Sequence, residues 1–104
     1  MTAALIAPRA RRDLVAAVRW IRRDNPAAAR ALRDAVARAA ERIGTYPRIG
    51  VVRRDLTSGP YRFVVLTGFP YLIAYAENHD PPLIVRVVHG ARDLPRLLRD
   101  LPSQ

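Results

Sequence analysis

The chain has no cysteine and no lysine among its 104 residues. The first absence excludes disulfides and thiolate metal sites. The second removes any lysine-based general base. All 18 basic side chains are arginine, which stays charged at any ordinary pH and accepts protons poorly. Histidine is scarce: His79 and His89 lie on different segments and do not form a metal-ligand set. Glutamate occurs only as Glu41 and Glu77. No apolar run approaches the roughly 18 residues a membrane helix requires. The opening MTAALIAPRARRD puts its apolar patch ahead of its arginines, the reverse of a secretory signal. These absences predict a cytoplasmic protein that holds no metal and no cofactor and does not engage a membrane.

Half of the residues are apolar, which argues for a packed core and against disorder. The length suits one domain spanning residues 1–104. The formal charge of +9 favours an acidic partner: a nucleic acid, an acidic protein, or a complex containing either. A solvated arginine surface accounts for the charge equally well. The joint richness in alanine and arginine is what a GC-rich coding sequence gives.

Periodicity divides the chain. AALIA (3–7) reads as a strand stopped by Pro8. From Arg9 the apolar residues Leu14, Val18 and Ile21 recur at four and three, predicting an amphipathic helix that ends before Asp24-Asn25-Pro26. A second helix starts with Asn25 as N-cap and Pro26 in its first position. It carries Leu32, Val36, Ala39 and Ile43 as its stripe, with Gly44 expected as a left-handed stop. The period then changes to two. Strands are predicted over 51–56, 60–67, 71–77 and 83–89, separated by short Gly, Pro and Asn turns. A short C-terminal helix follows, with Asp93 as cap and Pro95 in its first turn. The fold class is α+β: an N-terminal strand, then a two-helix antiparallel hairpin packed on a mostly antiparallel, twisted sheet of four to five strands, then a short C-terminal helix.

Four segments, PRARRDLVAAVRWIRRDNPAAARAL, YPRIGVVRRDL…GPYRFVV, YLIAYAE and IVRVVHGARDLPRLL, resemble in order and spacing the ParE/RelE superfamily of toxins from type II toxin–antitoxin modules. The resemblance runs from about Pro8 to Leu98, and the HGARD ending is closer to the ParE branch. It implies two helices on an antiparallel sheet. It also implies inhibition by a ParD-like antitoxin, a small protein with a DNA-binding ribbon-helix-helix part, so that operator DNA is met only through the antitoxin. ParE relatives poison DNA gyrase, whereas RelE relatives cut mRNA on the ribosome.

A metal-independent RNase needs a base, a cation and an acid within hydrogen-bond reach. The resemblance offers Arg62, His89 and Arg54 for those roles. Arg62 reads either as a phosphate contact or as a side chain packed on the sheet and paired with Asp55 or Glu77. Its face should also carry Val64 and Leu66. His89 reads either as base or acid, or as a strand-end residue bonding the turn that follows. Arg92-Asp93 reads as a helix cap. No carboxylate lies between Arg48 and Arg54, where another nuclease subgroup would place a glutamate. The nuclease set is incomplete, and the sequence favours a toxin that binds its target.

Three functions follow: a gyrase poison, a RelE-like mRNA endonuclease, or an inactive relative that only binds antitoxin and co-represses its operon. Leu14, Val18, Val51, Arg53, Leu97, Leu98 and Leu101 are expected at the antitoxin groove, where the three leucines would be exposed apolar surface. Arg62, Arg92, Arg96 and Arg99 are expected at the target.

Overall fold

The chain enters as a two-residue strand and leaves it at a proline. The computed structural model describes residues 2–102, in which β1 (Leu5–Ile6) leads into α1 (Pro8–Arg22) and then α2 (Pro26–Thr45). After a long connection come β2 (Tyr61–Val65), β3 (Tyr71–Ala76), β4 (Leu83–His89) and the single-turn helix α3 (Leu94–Leu97). The sheet order is β1-β4-β3-β2. β1 runs parallel to β4, and the other pairs are antiparallel. The α+β class and the membership of the first strand in the sheet are as the sequence predicts.

Local chemistry explains the helix ends. The Asn25 side chain accepts from Ala28 N–H at 3.0 Å, and Pro26 occupies the first turn, where its missing N–H costs nothing. Asp93 caps α3 by accepting from Arg96 N–H at 3.4 Å. Helix α1 starts at Pro8, one residue earlier than its apolar stripe indicates, with Ala7 at a cap that has no side-chain acceptor.

Gly44 corrects the sequence reading. It lies inside α2 and does not stop it; the cap is Tyr46. What requires glycine there is a close approach: a Cβ at 44 would sit 2.1 Å from the Thr2 carbonyl oxygen and 2.8 Å from Ala3 Cα. The segment leading into β1 crosses the helix at that point, and Ala4 N–H donates to Ala40 O at 2.8 Å.

The predicted strand 51–56 is also corrected. Only Val51 bridges to β2, through a reciprocal pair of bonds with Phe63 at 2.9 and 2.8 Å. The chain then turns, and Leu56 N–H bonds Arg53 O at 3.1 Å. Gly68, at φ 86°, supplies the left-handed residue in the β2–β3 turn.

Two apolar layers cover the sheet. On one face Leu32, Val36 and Ile43 of α2 pack on Ile73, Tyr75 and Ile84, and buried alanines let the helices lie close. The other face carries Tyr61, Phe63, Leu72 and Val88, and it is closed by Leu56 and Leu98. The expectation that Leu97, Leu98 and Leu101 form spare exposed surface is overturned. Leu98 is fully buried, and Leu97 and Leu101 pack partly buried against it. The C-terminal segment is needed because a sheet with a second apolar face must bury it.

Candidate functional site

The most constrained polar cluster joins α1, β4 and α3. Beyond the end of β1, the edge of β4 would be left with an open N–H. Asp13 of α1 fills it: Oδ2 accepts from Val87 N–H at 3.0 Å and from Arg86 Nε at 2.7 Å, while Oδ1 takes Nη2 at 3.2 Å. Arg86 Nη1 donates onward to Leu97 O at 2.7 Å, tying the C-terminal segment to the sheet. Arg86 is the one buried charged residue among those described, and Asp13 neutralises it. A β-bulge sets this up. Ala74 pairs with Arg86 but Tyr75 with Ile84, so Val85 is extra and the alternation of β4 switches face.

His89 ends β4. Its Nδ1 accepts from Ala91 N–H at 3.1 Å, and its ring meets Tyr71 edge-on at 5.3 Å. Between this corner and α1 opens a groove of about 680 Å³, with Trp20 on its α1 wall and Arg92 on the opposite lip.

A second cluster pins the connection after α2. The Tyr75 hydroxyl donates to Pro47 O at 2.7 Å and accepts from Gly50 N–H at 2.9 Å. Burial pushes its pKa above the ordinary tyrosine value, with the Gly50 N–H pulling the other way. Arg62 Nη1 donates to Gly50 O at 2.9 Å, and Nε lies 2.9 Å from Glu77 Oε2. That last contact is an ion pair whose N–H is not directed at the oxygen, so Nε has no hydrogen-bond partner. The alternative Asp55 pairing is not formed; Asp55 takes Arg53, which holds its carboxyl below the usual range.

Arg62, His89 and Arg54 are not brought together. Arg62 faces Tyr75 and His89 faces Tyr71 across β3. With a rise of about 3.3 Å per residue and strands about 4.8 Å apart, their Cα atoms lie roughly 16 Å from each other. Arg54 bonds Gly59 O at 3.1 Å in the turn. These three side chains therefore do not converge on one reacting centre.

The residues expected at the antitoxin surface also separate. Val18 is core, Leu14 packs half-buried beside it, and Leu98 lies in the second core. Val51 is 61% exposed, near Arg53 and close in sequence to the exposed Tyr46, Ile49 and Val52. Of the four arginines expected at the target, Arg92, Arg96 and Arg99 are exposed on the C-terminal segment, while Arg62 is in the Glu77 pair at the other end of the sheet.

The sequence assigns no role to Asp13, Arg86 or Trp20, although Asp13-Leu14 and Trp20-Ile21 are among the most specific pieces of the family resemblance. A lone arginine inside the apolar run LIVRVV, and a lone acid in a helix of arginines, were the available signals for the pair.

Over residues 4–94 the sequence matches the family described as the ParE toxin of the type II toxin–antitoxin system, parDE. The chain belongs to the ParE toxin family. It is a toxin of a type II toxin–antitoxin system, and an antitoxin is its partner by family. A comparison with curated proteins gave no match. The family match runs from β1 to the first residue of α3, so most of the segment that seals the second core lies beyond it. Among the described residues of this ParE-type chain, no group of three His, Cys, Asp or Glu side chains is placed to hold a metal ion. Among the described residues no helix is long and apolar enough to cross a membrane.

Proposed function

We propose that this ParE-type toxin acts by binding DNA gyrase and is neutralised by a ParD-like antitoxin, which alone carries the pair to operator DNA. The observation that supports binding over cleavage is the dispersal of Arg62, His89 and Arg54. General acid–base catalysis needs its groups within hydrogen-bond reach of one reacting centre. Here each of the three is engaged elsewhere: Arg62 with Glu77 and Gly50, Arg54 with Gly59, and His89 Nδ1 with Ala91 N–H.

The target face in this reading is the C-terminal segment with Arg92, Arg96 and Arg99, whose guanidinium groups stand in solvent. Arg62 acts as the strut that holds the 47–51 connection. The antitoxin meets α1 beside Leu14, the exposed Val51 with Arg53, and the partly covered Leu97 and Leu101.

Inducing the chain without antitoxin, with pulse labels for DNA and protein synthesis over the first minutes, tests the reading. DNA synthesis should stop first, and His89→Gln with Arg54→Gln should leave that arrest intact. Earlier arrest of protein synthesis, abolished by those substitutions, makes the chain a nuclease. Unaffected growth makes it an inactive relative.

A further inference from the structure

Helix α1 keeps arginine where local rules disfavour it. Its first turn holds Arg9 and Arg11 and no acid, although the positive end of the helix dipole repels cations. Arg9 with Arg12, Arg19 with Arg22, and Arg19 with Arg23 are like-charge pairs at spacings of three and four, which destabilise a helix. Arg12, Arg19 and Arg23 form one row on the side opposite the buried Ala10, Ala17 and Val18, flanked by Arg11 and Arg22. All five are exposed. The ion pairs among the described residues use Arg9, Arg53, Arg62 and Arg86, and none of these five. The one acid within α1, Asp13, is taken by Arg86, and the next in sequence, Asp24, lies past the helix end. The exposed face of α2 differs: it mixes Arg30, Arg33, Arg38 and Arg42 with Asp34 and Glu41, as a solvated helix face does. A GC-rich coding sequence accounts for arginine in place of lysine. It does not account for one sign on α1 and both signs on α2.

We propose that the arginine row of α1 holds the phosphate backbone of duplex DNA, so that the toxin contacts the DNA on which gyrase is acting as well as the enzyme. The inference rests on the gyrase reading and adds a direct DNA contact to it. Three observations select the partner. The row is straight and runs about 16 Å from Arg12 to Arg23 at about 1.5 Å per residue, and a duplex offers a rigid line of charge, about one per 1.7 Å of its axis. A single strand is held by aromatic side chains that stack successive bases, whereas α1 offers one ring, Trp20. The row is also continuous with the proposed target face. Arg9, one turn before Arg12, is ion-paired to Asp100 of the C-terminal segment that carries Arg92, Arg96 and Arg99. Phosphate contacts carry no sequence information, so the choice of operator stays with the antitoxin.

The test titrates the full chain into a fluorescein-labelled random-sequence DNA duplex of about 30 base pairs, by anisotropy, over a series of salt concentrations. The logarithm of the binding constant should fall linearly with the logarithm of salt concentration. The variant Arg12→Gln/Arg19→Gln/Arg23→Gln should lower that slope by about 2 to 3, at roughly 0.9 per phosphate contact removed. Its unfolding midpoint should not fall, because like-charge repulsion is relieved. It should also lose most of the toxin's inhibition of plasmid supercoiling by gyrase. The control Arg30→Gln/Arg33→Gln/Arg38→Gln removes the same charge from α2 and should change the slope by less than about 1. Equal slope changes in the two variants mean that net charge alone binds DNA, and overturn the row. No duplex binding at low salt, or tighter binding of (dT)30 or of an RNA duplex of equal length, overturns the inference too. If the α1 variant inhibits gyrase as the parent does, the DNA contact at the target is overturned while the gyrase reading survives. If the slope falls as expected but the parent never inhibits gyrase, the row stands as a DNA contact and the gyrase reading fails.

Discussion

At the scale of single residues, two buried polar side chains decide more than their number suggests. Removing one member of a buried ion pair leaves the other charged and unpaired, at a cost of about 3–5 kcal/mol. Asp13→Ala also orphans the Val87 N–H. We expect urea unfolding to show a loss of that size for Asp13→Ala, and a much smaller loss for the double variant Asp13→Leu/Arg86→Met, which removes both charges. Tyr75 sets a pH dependence. Burial raises the folded pKa of Tyr75, and also of Tyr61, above the ordinary value. The unfolded chain therefore ionises first. The stability held by the neutral phenols is fully present below the unfolded pKa of about 10 and is lost as pH rises through the folded values. The unfolding midpoint should fall from about pH 10 upward, and Tyr75→Phe should flatten that alkaline slope while costing about 1–3 kcal/mol at neutral pH for the unpaired Gly50 N–H and Pro47 carbonyl. Nothing in the sequence marked Tyr75 for this role beyond its place in an apolar strand. Its partners lie 25 and 28 residues away, and only the folded chain brings them within reach.

At the scale of elements, Gly44 separates propensity from packing. In an isolated helix Gly→Ala gains about 1 kcal/mol. Here the new methyl would strike backbone at Thr2 and Ala3. Gly44→Ala should therefore lower the midpoint of thermal unfolding, and a rise would show that the segment leading into β1 can move aside. Leu98 makes the complementary case. It caps the second apolar face from a helix of one turn, so Leu98→Ala should cost about 2–5 kcal/mol in denaturant unfolding. The elements themselves were largely legible. The Asn25-Pro26 start, the Asp93 cap and the 83–89 strand needed only local rules, and all three are found where those rules put them. The segment 51–56 was not legible, because alternation describes a strand and a turn alike when only one residue pairs.

At the scale of the whole molecule, the C-terminal segment and the charge belong together. Residues 94–102 close a core and carry Arg96 and Arg99 on the outside. Deleting 94–104 should expose Tyr61, Phe63, Leu72 and Val88, and the shortened chain should aggregate in size-exclusion chromatography. Substituting only Arg92, Arg96 and Arg99 with glutamine should leave the fold intact by circular dichroism and abolish the arrest of DNA synthesis. Loss of arrest only upon deletion would mean that the segment serves packing alone.

The sequence by itself determined the α+β class, the helical hairpin and the antiparallel strands, because these follow from period, caps and turn residues read locally; the toxin family came instead from the likeness of whole segments in order and spacing. The tertiary structure decided which residues work together. It put the nuclease candidates roughly 16 Å apart across strands spaced about 4.8 Å, gave Leu98 a core to close, turned Arg86 onto Asp13 through a bulge, and left Trp20 in water at the mouth of a groove. Each of these depends on contacts between segments far apart in the chain, and no local pattern encodes them.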